Sequence, residues 1–233
     1  MTEFSDLLKP TTPADNEQQQ YLFRSSVYNF LSGISTISNV SKINNADFTT
    51  LGPGGLTPTT QADGDNHEFM SQWFVVGAGV ATYTLTPTVY AANSGIISAS
   101  PYFVNAAISG YLETGLYFYQ RQLNTLRLYQ SSYITITVNA TNNNSNTVKL
   151  RAAINSFYNP SSNLVQGAAI FLQPGENTVS STLSLLTIRN QTVGAGSYTE
   201  FRLLFDDFGS THAANIDFHA IKAEFGTIST ALY

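Results

Sequence analysis

The chain contains no cysteine in 233 residues, which excludes both a disulfide framework and a thiolate metal site. Charge is also scarce. Ten Lys and Arg face fifteen Asp and Glu, 11% of the chain in all, for a formal charge of −5, and this leaves no basic footprint for a nucleic-acid partner. No apolar run approaches the roughly 18 residues of a membrane span. The N-terminal stretch MTEFSDLLKPTTPADNEQQQ lacks the positive segment followed by an apolar one that marks a signal peptide. Hydrophobic residues make up 42% of the chain, set among Asn, Ser, Thr, Gln and Gly. Such a surface is kept soluble by hydroxyls and amides, a pattern common in proteins that work outside a cell. Synthesis in a cytoplasm followed by release through lysis reconciles that surface with the missing export signal.

Two regions differ in pattern, residues 1–43 and 44–233. After Pro13, the apolar residues Phe23, Val27, Phe30, Ile34 and Ile37 recur at steps of four and three. This spacing lays a stripe along one helix face, with Asp15 or Asn16 as N-cap and Glu17 in the first turn. The stripe suits an oligomerisation seam between copies of the chain and equally a single amphipathic helix packed on its own domain. From residue 44 onward, short alternating segments lie between turn clusters such as LGPGGLTP, TNNNSN, NPSSN, QPGEN and VGAGS. In ATYTLTPTVY, Tyr83 and Leu85 alternate with Thr82, Thr84 and Thr86; in YITITVNA, Ile134, Ile136 and Val138 alternate with Tyr133, Thr135 and Thr137. VKLRAAINSFY, AAIFLQ, STLSLLTI, TEFRLLFDDF and NIDFHAIKAEF read as further strands. The length suffices for one large sandwich, and the regular strand–turn spacing predicts an antiparallel, all-β one.

Three segments, in order, give this second region a familiar look. NNADF (44–48), followed after a Gly/Pro-rich loop by the tryptophan-bearing MSQWFV, resembles the opening strands of jelly-roll carbohydrate-binding modules and of related phage tail-fibre domains. LYFYQRQLNTLRLYQSSYITITVNATN (116–142) resembles the central strand pair of those phage domains. IKAEFGTISTALY resembles their closing signature through Glu224, Gly226 and Thr230. The resemblance implies a jelly-roll β-sandwich over 44–233. It further implies a virion appendage protein without enzymatic activity, trimeric, docked to other virion proteins through residues 1–43 and displayed toward host-surface polysaccharide. A purely architectural capsid decoration or tail adaptor, and a carbohydrate-binding module of a secreted system, are the rival readings. The self-contained start at Met1 and the missing signal peptide speak against the last. Sugar-binding relatives often hold a structural calcium near the first strand's Phe and in the last strand. Here Thr49 follows Phe48 and Ala220 stands near the second position, with Asp47 and Asp217 only close by, so that site is not carried over.

Candidate chemistry is sparse and no cofactor is expected. In DGDNHE, Asp63, Asp65, Asn66 and Glu68 could offer calcium the oxygen ligands it prefers, yet Trp73 and Phe74 stand where an EF-hand loop would need its last acceptor. The same residues are good turn formers. Trp73 is either a sugar-stacking platform or, flanked by apolar residues, a core side chain. Tyr117, Tyr119 and Arg121 share one face of a strand while Leu116 and Phe118 share the other. The first set suits glycan contact, intersubunit contact or aromatic packing. For catalysis, Asp206 and Asp207 are adjacent, and strict alternation would send them to opposite faces, leaving no cooperating pair for glycoside hydrolysis.

Overall fold

The computed structural model describes residues 46–61, 66–77, 82–90, 100–110, 115–122, 132–158, 161–188, 196–207 and 213–227. All of them belong to a compact unit, Ser41–Tyr233. The stripe of Phe23, Val27, Phe30, Ile34 and Ile37, with its expected helix, lies outside the described residues.

The described residues hold twelve strands and no α-helix: β1 (Thr59–Thr60), β2 (His67–Met70), β3 (Trp73–Val76), β4 (Thr82–Val89), β5 (Tyr102–Ser109), β6 (Tyr117–Gln122), β7 (Tyr133–Asn142), β8 (Val148–Phe157), β9 (Ser162–Leu172), β10 (Gly175–Ser184), β11 (Tyr198–Asp207) and β12 (Ala213–Phe225). They form two six-stranded sheets. The front sheet runs β2-β3-β6-β11-β8-β9 and the back sheet β1-β4-β5-β12-β7-β10. The last eight strands pair as a nested set, all antiparallel: β5 with β12, β6 with β11, β7 with β10 and β8 with β9. The four pairs fall alternately in the back and front sheets, so one long hairpin is rolled over itself. That is the jelly-roll arrangement.

Alternation decides which side chains meet between the sheets. Ile134, Ile136, Val138 and Ala140 of β7 are buried opposite Leu150, Ala152 and Ile154 of β8 in one continuous core. Three phenyl rings tie the layers together. Phe118 of β6 and Phe205 of β11 meet at 5.0 Å, and Phe218 of β12 meets them at 5.4 and 6.0 Å, all edge to face, the favoured geometry for aromatic pairs. On the outer side of the back sheet, facing hydroxyls pair across β7 and β10: Thr135 with Thr182 at 3.0 Å and Thr137 with Ser180 at 2.8 Å. Such cross-strand pairs stabilise a ladder from its solvent side.

The two sheets are also joined at one margin. Ser181 of β10 donates from Oγ to the Ala168 carbonyl of β9 at 2.9 Å. A Cβ on Gly167 would lie 2.4 Å from that oxygen, closer than any side chain can approach, which accounts for the glycine.

Several sequence expectations need correction. NNADF is not an opening strand over its described part. Phe48 sits at φ 55, a strained conformation for so bulky a residue. It is held there because its ring is fully buried edge-on against Trp73 at 6.0 Å, while the Ala46 carbonyl accepts from Ile221 N–H at 2.7 Å. MSQWFV contains a turn, since Met70 ends β2, Ser71 and Gln72 turn, and Trp73 opens β3. QPGEN is a turn only at its start, because β10 begins at Gly175. STLSLLTI leaves the sheet after Ser184, and Leu186 to Ile188 form a turn. MSQWFV and STLSLLTI show why such boundaries escape the sequence: an apolar pattern marks burial, and burial alone does not reveal where a ladder stops.

Replacing Phe118 with Ala removes the ring on which the inter-sheet contacts converge. Urea unfolding of F118A should show a loss of about 3–5 kcal/mol, the range for a buried Phe. A loss under about 1 kcal/mol would mean that the sheets are joined elsewhere.

Candidate functional site

The strand alternation that buries Leu116 and Phe118 turns Tyr117, Tyr119 and Arg121 to the outer side of the front sheet. Three neighbouring strands present their outward residues beside them. Phe74 of β3 is the register partner of Tyr119, which in turn faces Arg202 of β11. Val76, Tyr117, Leu204 and Arg151 form the next row, and Arg121, Glu200 and Asn155 the row on the other side. Phe157 of β8 lies opposite Tyr198 of β11.

The rings interact across these rows. Phe74 stacks on Tyr119 at 5.3 Å and 23°, and Phe157 on Tyr198 at 5.1 Å and 25°. Tyr117 and Tyr119 lie 6.0 Å apart on one strand. Between the rings stand two guanidinium groups, Arg121 at 4.1 Å over Tyr198 and Arg202 at 4.5 Å over Tyr117. Cations in these positions are drawn to the negative ring faces. The Tyr119 hydroxyl donates to Asn66 Oδ1 at 2.9 Å, which fixes the ring from the far side. Burial raises its phenol pKa above 10.0, with Arg121 opposing that rise and Glu200 adding to it.

Glu200 orders this cluster. Its Oε1 accepts from Arg121 Nε at 3.1 Å and Nη2 at 2.6 Å. Its Oε2 accepts from Arg202 Nε at 3.0 Å and also from Nη2. Each oxygen thus accepts two charge-assisted bonds from one guanidinium, a kind stronger than neutral hydrogen bonds. Burial alone would raise the Glu200 pKa. The bonds and charges of Arg202 and Arg121 outweigh it and hold the carboxyl below its ordinary 4.5. Burial likewise works against the Arg121 charge, and the Glu200 bond more than compensates.

A second pairing lies further along the face. Asp206 Oδ2 accepts from Arg151 Nε at 2.9 Å, with Lys149 Nζ at 3.7 Å. The ladder slips between Phe205 and Asp207, a β-bulge. The alternation argument that would part Asp206 from Asp207 therefore does not apply there. Asp206 is engaged by its two cations; the Asp207 side chain lies outside the described residues.

The other sequence candidates fall elsewhere. Trp73 is 1% exposed in the inter-sheet core, so it presents no ring face for stacking. Its neighbour Phe74 lies on the outer side, stacked on Tyr119. Of the calcium candidates, Asp63 and Asp65 lie outside the described residues. Glu68 Oε1 accepts from the Gln72 N–H at 2.6 Å, which caps the β2–β3 turn. Among the described residues no group of three or more His, Asp or Glu is placed to hold a metal ion. Asp217, close to the relatives' calcium position, accepts from Asn105 at 2.6 Å and Asn143 at 2.9 Å on the back sheet. Beside it His219 bonds Tyr90 through Nδ1 and Thr141 through Nε2. Burial lowers its pKa below 6.5, against the charges of Asp217 and Glu176.

Sequence reasoning missed Phe74, Tyr198, Glu200 and Arg202. A signal was there, since in YTEFRLLF the residues Tyr198, Glu200 and Arg202 alternate with Thr199, Phe201 and Leu203. Reading that period would have gathered one outward set from β11 to set beside the one from β6.

Comparison with known proteins finds no matching family model and no matching curated protein. Solved structures that overlay on the chain include the CBM22-2 xylan-binding domain of Paenibacillus barcinonensis Xyn10C, at 14% identity and TM-score 0.43, covering 73% of this chain and 99% of that one. The family 11 carbohydrate-binding module of Clostridium thermocellum Lic26A-Cel5E overlays at 7% identity and TM-score 0.44, covering 75% and 98%. A CBM4 module overlays at 16% identity and TM-score 0.44, covering 79% and 100%. At these values the fold assignment rests on the strand pairing itself.

The charge on Glu200 sets a pH dependence. A carboxyl with a depressed folded pKa adds stability above its unfolded value, and that stability is lost as pH falls through the folded one. Wild-type unfolding free energy should therefore fall from about pH 4.5 downward, more steeply than that of E200Q. At pH 7 the variant should be less stable by about 1.5–3 kcal/mol, the range for bonds to charged groups. Parallel pH profiles for the two proteins would remove Glu200 from this role.

Proposed function

We propose that this chain is a non-catalytic glycan-binding β-sandwich which holds polysaccharide against the outer side of its front sheet. The observation that carries the reading is the group of rings and guanidinium groups across β3, β6 and β11: Phe74, Tyr117 and Tyr198, with the buried Tyr119 beneath them and Arg121 and Arg202 between them. Aromatic faces stack on the apolar faces of sugar rings, and fixed polar groups between them read the hydroxyls. The face is held ready for a ligand, because stacked rings and doubly bonded guanidinium groups have little freedom left to lose on binding.

Hydrolysis is poorly served by the same face. A glycosidase needs one carboxyl with a raised pKa to protonate the leaving oxygen. Glu200 is shifted the other way, and Asp206 is tied to Arg151 and Lys149.

A second setting for the same site is display on a phage particle, as a homotrimer anchored through residues 1–43. The order of the segments at 44–48, 116–142 and 221–233 favours it. Each head would bind weakly, and copies held together would multiply the effect through high effective concentration.

The test is calorimetric titration of the full chain with a panel of soluble polysaccharides, repeated with Y117A. At least one glycan should bind, and Y117A should weaken it about tenfold or more, ~1.4 kcal/mol, with its melting curve preserved. Binding unchanged in Y117A would move the site off this sheet.

A further inference from the structure

The described residues contain five cationic side chains: Arg121, Lys149, Arg151, Arg202 and Lys222. Four of them stand on the outer side of the front sheet, in a chain whose net charge is −5. They are interleaved there with two carboxylates, Glu200 and Asp206. Glu68, at the β2 margin of the same sheet, is occupied by the backbone of its own turn. Exposure is distributed to the same effect. Side-chain exposure is 45% for Arg121, 35% for Lys149, 29% for Arg151 and 18% for Arg202, against 5% for Glu200 and 22% for Asp206. Glu200 lies beneath all four cations, and Asp206 is less exposed than its own two partners, Lys149 and Arg151.

This asymmetry constrains the ligand. Guanidinium and ammonium groups only donate hydrogen bonds. Both oxygens of Glu200 are already taken by the two arginines, and Asp206 Oδ2 by Arg151 and Lys149, so the acceptors nearest the cations are engaged. A neutral sugar hydroxyl that approaches must accept, and its own proton finds few partners. A carboxylate has acceptors alone, and it can meet the guanidinium donors that Glu200 and Asp206 do not engage, since each guanidinium carries five N–H groups. The cations also recur along the strands. Arg202, Arg151 and Lys149 occupy successive outward steps of roughly 7 Å each, two strand residues at about 3.3 Å, and the tyrosines lie beside them. The pattern fits charges that repeat along a polymer better than one isolated charge.

We propose that the polysaccharide bound on this face is acidic, a glycan bearing uronate carboxylates at intervals along its chain. The inference rests on the glycan-binding reading above and names its ligand class. Rings take the sugar faces, Arg121 and Arg202 take carboxylates at one end of the row, and Arg151 and Lys149 take them at the other.

The experiment uses the full chain and calorimetry against polygalacturonate and alginate. Each is tested beside the same polymer after chemical reduction of its carboxyls to neutral sugars, and beside neutral xylan, a sulfated polysaccharide and single-stranded DNA. The expected result is binding to a polyuronate that weakens at least about tenfold on carboxyl reduction and falls again between 20 and 300 mM salt, as screening requires. R151Q, outside the stacked rings, should weaken polyuronate binding several-fold with an unchanged melting curve. Equal affinity for the reduced and unreduced polymers, or preference for neutral xylan, would overturn the acidic ligand and leave the glycan reading intact. Tighter binding to the sulfated polymer would overturn the carboxylate in favour of a sulfate ester. DNA bound as tightly as polyuronate would overturn it in favour of an unselective polyanion surface. No binding to any glycan would remove both readings together.

Discussion

Phe118 is the side chain on which both the layers and the surface depend. Its ring fills the space where β6, β11 and β12 meet, against Phe205 and Phe218. A strand has a period of two, so anchoring residue 118 inside fixes residues 117 and 119 outside. Slipping β6 by one position would drive Tyr117, Tyr119 and Arg121 into an apolar interior and expose the phenyl ring. One buried contact therefore sets the register of the central front strand and the identity of the residues it shows to solvent.

The surface is organised by the opposite kind of interaction. Glu200 is a carboxylate with 5% of its side chain exposed, a placement that costs free energy unless every lone pair is used. Two arginines from neighbouring positions supply the donors, and each in turn lies over a tyrosine ring. The result is a rigid polar network resting on a stiff sheet, with both strands of the β6–β11 pair contributing.

How much of this could be read in the sequence depends on the kind of signal. The all-β sandwich was legible, because alternation in Tyr83–Thr86 and Ile134–Val138 follows directly from burial of one face. The outward grouping of Tyr117, Tyr119 and Arg121 was legible for the same reason. Trp73 was ambiguous, since its flanking residues Gln72 and Phe74 do not reveal that a turn ends just before it and a new alternation begins. Glu200 and Arg202 were overlooked because, although the alternation in YTEFRLLF marks them as sharing a face, their importance lies in a partner strand some eighty residues away, and which strands pair is not written in local sequence. The bulge at Phe205–Asp207 was invisible too, and with it the true setting of Asp206.

The stitch between Ser181 and the Ala168 carbonyl has a consequence for how copies of this molecule behave at high concentration. β9 and β10 end their sheets, and β9 is eleven residues long with no charge and no proline, features that elsewhere invite a foreign strand to add on. Here the hydroxyl occupies part of the margin from within and Gly167 draws the two layers together at that point. One β9 carbonyl is thereby satisfied within the molecule and is not available to a strand from another copy.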